Sequence, residues 1–375
     1  MANTEPYDTF RWVPVHEHGQ DEDGYLLVLD QREIPHQVSY VRLVDYREVA
    51  EAIRDMVVRG APAIGAVAAY GYVLGIKSGE PEDQVYHTLY ASRPTAVNLQ
   101  WSLDALRQLQ TTNWRRLLWK ANELVASERL MNNKIAAYGA EEILKRWKQR
   151  HHEGCKDETL RVLHHCNTGS LATAGGGTAL GVIRKLAALH GKVHVHVNET
   201  RPRLQGARLT CWELRQWGIP YELSVDAAAP FLMAQGRIQF VTVGADRIAA
   251  DGAVANKIGT LMIAIAAQHY GIPFYVCAPC STIDLKTPTG AAMIIEERSA
   301  TEVLNPSGKS SDQWLAPVDT PVYNPAFDIT PPELITGGIV TELGILRVRD
   351  QAGAGIGLAE QLQQLEQRQK QISVE

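Results

Sequence analysis

Between Leu160 and Pro279, short apolar runs alternate with helical patterns five times, and the runs end in polar or reactive side chains. They are LRVLHHC from Leu160, KVHVHVN from Lys192, IPYELSVD from Ile219, IQFVTVGAD from Ile238 and IPFYVCAP from Ile272. Strands separated by helices predict right-handed βαβ crossovers and a parallel sheet. In such sheets ligands bind beyond the carboxyl ends of the strands. Those ends carry Cys166, Glu199, Asp226, Asp246 and the Cys277 to Cys280 segment. One thiol and several carboxylates are therefore expected along one edge.

The N-terminal part has a different rhythm. TFRWVPV, YLLVLDQ and VSYVRLVD alternate in polarity around the loop HEHGQDEDG, which predicts a small antiparallel meander. DYREVAEAIRDMVV then repeats apolar residues at helical spacing up to Gly60, and Pro62 is suited to open a second helix, APAIGAVAAYGYVLGI. A long amphipathic run from Asn113 to His151, weakly broken near Asn132, leads to the polar stretch HHEGCKDE. The expected fold is α/β, with a mainly helical N-terminal domain carrying the meander (1–154) and a Rossmann-like parallel-sheet domain (155–375). Its Gln/Glu-rich end, LAEQLQQLEQRQKQISVE, is expected to be a fraying helix.

Composition narrows the function. With 45% hydrophobic and 21% charged residues the chain is globular, and a net charge of −5 without a Lys/Arg block gives no footprint for nucleic acid. The longest apolar runs, such as LMIAIAA from Leu261, fall well short of the ~20 residues that span a bilayer. Without a signal-peptide pattern at the start, the expectation is a soluble cytoplasmic protein. Five cysteines are too few and too odd in number for a disulfide framework, so reduced thiols are expected.

Several motifs invite chemistry. NTGSLATAGGGTALGVIRKL from Asn167 is Gly-rich ahead of a helix, an arrangement that presents N–H groups to phosphate, although its glycines miss the dinucleotide spacing and serve helix packing equally well. CAPC, ending at Cys280, lacks a second ligand pair for zinc and reads as buried filler. His151, His152 and Cys155, with His164, His165 and Cys166, resemble a metal cluster only on paper, because adjacent strand residues point to opposite faces. His194 and His196 mark one strand face. Cys166 stands apart: it lies at the ligand edge, where the following turn and helix entry would lower a thiol pKa. Asp246 and Asp226 each end a strand, as acid, base or cap, and local physics does not rank them.

Nine collinear strings then add a resemblance that covers nearly the whole chain. They are RGAPAIG (from Arg59), RPTAVNL (Arg93), HCNTGSLAT (His165), ETRPRLQGARLT (Glu199), GADRI (Gly244), ANKIGT (Ala255), APCST (Ala278), IEER (Ile295) and NPAFDITPPELI (Asn324). Together they resemble the methylthioribose-1-phosphate isomerase family. That family shares its fold with ribose-1,5-bisphosphate isomerases and with the regulatory subunits of a translation-initiation exchange factor, which are the alternative readings. The resemblance implies conversion of 5-methylthio-D-ribose 1-phosphate to 5-methylthio-D-ribulose 1-phosphate in methionine salvage, without metal or organic cofactor, by a homodimer. It implies Cys166 and Asp246 as catalytic residues, and substrate binding by Arg59, Gly60, Ala61, Arg93, Gln205, Asn256 and Lys257. Gln205 and Asn256 are expected at helix N-termini on the strand edge, with Arg59 and Arg93 reaching the phosphate from the N-terminal domain. Asn198 departs from the family pattern, which has aspartate before ETRP.

Overall fold

The computed structural model describes residues 6–17, 20–94, 96–150, 157–306, 314–317, 319–349 and 357–372. Contacts divide the chain into two compact units, Met1–Asn132 with Thr168–Gly177, and Asn133–Asn167 with Thr178–Glu375. The boundary expected at 154/155, like His151, His152 and Cys155, lies outside the described residues.

In the first unit, β1 (Phe10–Glu17), β2 (Gln20–Leu29) and β3 (Tyr40–Leu43) form the antiparallel meander. Pairing continues to Glu17 opposite Gln20, so strand occupies much of the stretch expected as loop. Helix α1 (Tyr46–Arg54) begins at a capping box of Asp45 and Glu48. It stops at Arg54 rather than running to Gly60, because Met56 turns to φ +59° and the Val57 N–H returns to the Ala52 carbonyl. Helix α2 (Ala61–Lys77) carries Pro62 in its first turn and is buried continuously from Ala63 to Ile76. An all-round apolar helix of this kind forms the centre of a core, here surrounded by Leu26, Val49, Ile53, Leu89, Leu99 and Leu117. Helices α3 (Glu82–Ser92) and α4 (Val97–Arg107) pack on it.

Helix α5 (Trp114–Arg150) runs without the break expected near Asn132. Asn132 is buried, and its NH2 group donates to Glu128 Oε1 and to the Gly175 carbonyl, so the polar residue that resembled a helix break is engaged from inside the helix.

The second unit is built on β4 (Leu160–His164), α6 (Ala179–His190), β5 (Val193–Asn198), α7 (Cys211–Gln216), β6 (Tyr221–Ser224), α8 (Ala229–Ala234) and β7 (Phe240–Val243). A second, small sheet interrupts the alternation with β8 (Arg247–Ala249) and β9 (Val254–Lys257), before α9 (Thr260–His269) and β10 (Phe274–Cys277) restore it. There follow β11 (Ile283–Asp284), α10 (Thr301–Leu304), β12 (Phe327–Thr330), β13 (Gly338–Thr341), β14 (Gly344–Leu346) and α11 (Leu358–Ile372). The large sheet has the order β14-β13-β10-β7-β4-β5-β6, all parallel except β14, and chain order reverses between β4 and β7. All five expected strands are present. The small sheet, β11-β8-β9-β12, was not expected. Helix α11 does more than fray: Leu358 is fully buried, and Gln361 exchanges two hydrogen bonds with the Arg347 backbone.

Candidate active site

Cys166 lies two residues beyond β4 in a left-handed conformation, φ +67°, which a non-glycine residue holds only when its surroundings impose it. Two threonines do so. The Cys166 N–H donates to Thr200 Oγ1 at 2.8 Å, and Thr210 Oγ1 donates to the Cys166 carbonyl at 2.6 Å. Thr200 is itself left-handed at φ +66°, and its N–H and that of Arg201 donate to the two carboxylate oxygens of Asp226 at 2.8 and 2.7 Å. Asp226 is therefore an anchor for the turn that holds Cys166, which separates it from Asp246 as local sequence did not. The Asn167 amide continues the network by donating to the fully buried Glu213 at 2.5 Å.

Thr210 belongs to a π-helical segment, Gly206–Thr210, that leads into α7. Such segments recur at functional sites. The close approach of Gly206 to β5 requires glycine, since a Cβ there would lie 1.7 Å from the Asn198 carbonyl oxygen. Gln205 opens this helix, as expected. It is buried, and its Oε1 has no hydrogen-bond partner among the described residues. A buried, unsatisfied carbonyl oxygen facing no protein donor is costly unless a ligand supplies one.

Asp246 follows β7, the neighbour of β4, and its N–H donates to the Ala255 carbonyl at 2.9 Å. This links it to Asn256 and Lys257 on β9. Asn256 does not open a helix, contrary to expectation: it lies in a strand, because the small sheet intervenes and α9 starts only at Thr260. Its amide donates to Thr260 Oγ1 at 3.0 Å. Lys257 Nζ donates to the Ala326 carbonyl at 2.9 Å and lies 4.4 Å from the Phe327 ring centre. His165, adjacent to Cys166, hydrogen-bonds through Nε2 to the Ile258 carbonyl at 2.9 Å. A carbonyl only accepts, so Nε2 carries the proton, and burial holds both His165 and His164 below the usual histidine range, His164 at about 3. Cys166, Gln205 and Asp246 come after β4, β5 and β7 at the carboxyl edge of the large sheet, while Asn256 and Lys257 lie on β9 of the small one.

The other expected residues belong to the first unit. Arg59 precedes α2, Gly60 caps it at φ +95° and Ala61 is its first residue, while Arg93 ends α3. The Gly-rich loop behaves differently from the phosphate reading. The Ala174 N–H donates to Glu128, and the N–H groups of Gly175 and Gly177 donate to Thr173 Oγ1, so these donors are already engaged. Glu128 is buried, which raises its pKa to about 7.

Elsewhere, His194, His196 and Glu222 place ligand atoms within 4.8 Å of one another. Arg237, however, already sits 2.6 Å from Glu222, which leaves little net charge for a cation. Burial raises the thiol pKa values of Cys211 and Cys280 to about 12 and pushes that of Cys277 up as well, which suits filler rather than redox chemistry.

Comparison with known proteins gives this arrangement a lineage. Residues 57–348 match the model of the Initiation factor 2 subunit family. "Methylthioribose-1-phosphate isomerase 2" of Pseudothermotoga lettingae is 46% identical over 335 residues, covering 86% of this chain and 92% of its own. The crystal structure of 5-methylthioribose 1-phosphate isomerase from Pyrococcus horikoshii superposes with a TM-score of 0.80 at 35% identity over 97% of both chains. That of translation initiation factor eIF-2B subunit delta from A. fulgidus gives 0.72 at 36% identity, covering 91% of this chain and 96% of that one. The chain belongs to the Initiation factor 2 subunit family and, within it, to the methylthioribose-1-phosphate isomerases.

Proposed function

We propose that the chain isomerises 5-methylthio-D-ribose 1-phosphate to 5-methylthio-D-ribulose 1-phosphate, with Cys166 and Asp246 as its catalytic pair. One observation carries the assignment of the pair: they follow β4 and β7, the two strands between which the sheet order reverses. Counted along the chain, the six parallel strands run 3-2-1-4-5-6, the order of a Rossmann-like domain, in which the crevice at the reversal is the ligand site. On this reading the residues after about 155 form the catalytic domain and those before it a helical domain with the meander.

The chemistry follows from the substrate. Phosphate on O1 locks the sugar as a ring, so a proton must reach the ring oxygen to open it, the role assigned to Asp246. Hydrogen must then move from C2 to C1, and Cys166 acts on that step, as base at C2 or by supporting a hydride shift in a dry cleft. Gln205, Asn256 and Lys257 are assigned to binding the sugar phosphate. Arg59, Gly60, Ala61 and Arg93 are assigned to the phosphate, for which guanidinium groups and a helix N-terminus are suited. The same reading makes the protein a cytoplasmic homodimer, checked by fractionation and sedimentation velocity.

Turnover followed by phosphorus NMR tests this. Wild type should convert the substrate, and Cys166→Ser and Asp246→Asn should each lose at least ~10²-fold, the scale of a missing acid or base. Deuterium from solvent at C1 of the product would identify proton transfer; its absence would mean a hydride shift or a proton returned from a base shielded from solvent. Turnover of ribose 1,5-bisphosphate instead would move the chain to the neighbouring isomerase. Inactivity on both substrates would leave a binding subunit.

A further inference from the structure

Asp328 lies in NPAFDITPPELI, a string to which neither the residue chemistry nor the resemblance gave a role. It stands on β12 directly opposite Asn256 in the antiparallel register with β9. Its Oδ2 accepts the Gly259 N–H at 2.7 Å and its Oδ1 the Leu261 N–H at 3.1 Å. One carboxylate thus clamps the turn between β9 and α9. The other side of that turn is held by His165, through the 2.9 Å bond to the Ile258 carbonyl. Gly259, at φ +101°, packs on the same imidazole, and a Cβ there would lie 3.1 Å from His165 Cε1. A continuous path of contacts therefore runs from Asp328 through residues 258–259 to His165 and the backbone of Cys166, with Lys257 at its side.

We propose that Asp328 is a positioning residue of the isomerase site, fixing the Lys257–Leu261 turn in the form that aims Lys257 and, through His165, sets Cys166. The inference rests on Cys166 and Lys257 being the functional residues assigned above. Both oxygens cap the start of α9, and what goes beyond capping is that the turn they hold also contacts the residue beside the thiol. Asparagine is a poor substitute, because its amide presents one acceptor and then an N–H group toward a second N–H donor. Among the described residues, two charged or titratable groups adjoin the clamp: the Lys257 ammonium, which lowers the Asp328 pKa, and His165 across Gly259. Burial outweighs the lysine and the two N–H groups and raises that pKa to about 6.

The test compares Asp328→Asn with wild type by steady-state kinetics and by iodoacetamide alkylation of Cys166, read at the peptide level by mass spectrometry. Misplacement of reacting groups by fractions of an ångström lowers kcat by about 10- to 100-fold, and KM should rise with it through Lys257. The acid limb of the wild-type pH profile near pH 6 should disappear in Asp328→Asn, the Cys166 alkylation rate should change several-fold, and Asp328→Glu should recover part of the activity. If Asp328→Asn does not fold, Gly259→Ala, which disturbs the same turn from the His165 side, should reproduce the kinetic and alkylation changes. Wild-type kcat, KM and alkylation rate in folded Asp328→Asn would overturn the proposal, as would activity lost only in proportion to the folded fraction. The alkylation comparison needs no turnover, so an inert wild type would refute the assigned reaction and still leave this coupling tested.

Discussion

At the scale of single residues, the site depends on backbone conformations that side chains must enforce. Cys166 and Thr200 are both left-handed, and the 2.8 Å bond from the Cys166 N–H to Thr200 Oγ1 joins them. Thr200→Val keeps shape and removes that acceptor. A buried N–H left without a partner costs about 1–3 kcal/mol. Urea unfolding should show a loss of this size, and turnover should fall further than the folded fraction explains, since the thiol loses its orientation. The candidate residues could be proposed because each sits in a distinctive string, Cys166 and Asp246 just past strands and Arg59 to Ala61 and Arg93 at helix ends. Their supports were not legible: nothing local marks Asp226 as the acceptor for two N–H groups from a turn 25 residues earlier, or Thr210 as the donor to Cys166. Asn198, conspicuous in sequence, is fully buried with its amide 3.4 Å from His165 Nδ1, which already lies 3.9 Å from Asp226 Oδ1, so an aspartate there would bring a second carboxylate beside that ring.

At the scale of elements, β4, β5, β7 and β10 were readable because burial on both faces keeps them mainly apolar, whereas β6, a half-exposed edge strand, was readable from its place in the alternation. The small sheet was not, since strands of two to four residues leave no measurable period, and Asn256 was accordingly assigned to a helix start. Asn132 misled for the opposite reason: its NH2 group is taken up by a loop more than forty residues away. That contact is part of a clamp in which α5, through Glu128 and Asn132, holds the Gly-rich loop. Glu128 also makes the clamp pH-dependent. Its folded pKa of about 7 lies above the ordinary 4.5, so the folded state binds the extra proton between those values and stability falls as pH rises through that window. Glu128→Gln should flatten this slope and gain on wild type above pH 7. The pKa difference sets an upper scale of about 3 kcal/mol. Thermal unfolding at pH 5 and pH 8 checks it.

At the scale of the whole molecule, stability and chemistry make different demands on position 166. Most buried side chains here reinforce the fold. Cys277, fully buried in β10, is one of them, and Cys277→Gly should cost about 2 kcal/mol or more through the lost burial and the strand glycine. Cys166 is buried as well, but its left-handed backbone carries a strain that glycine would relieve, which offsets the lost packing. Cys166→Gly should therefore stay within about 1 kcal/mol of wild-type stability while abolishing turnover, as chemical denaturation beside the NMR assay would measure. On that expectation the architecture is nearly indifferent to the loss of the thiol proposed for the reaction. A lineage relieved of turnover would be able to discard the thiol early in its divergence, keep an intact scaffold, and put that scaffold to other uses.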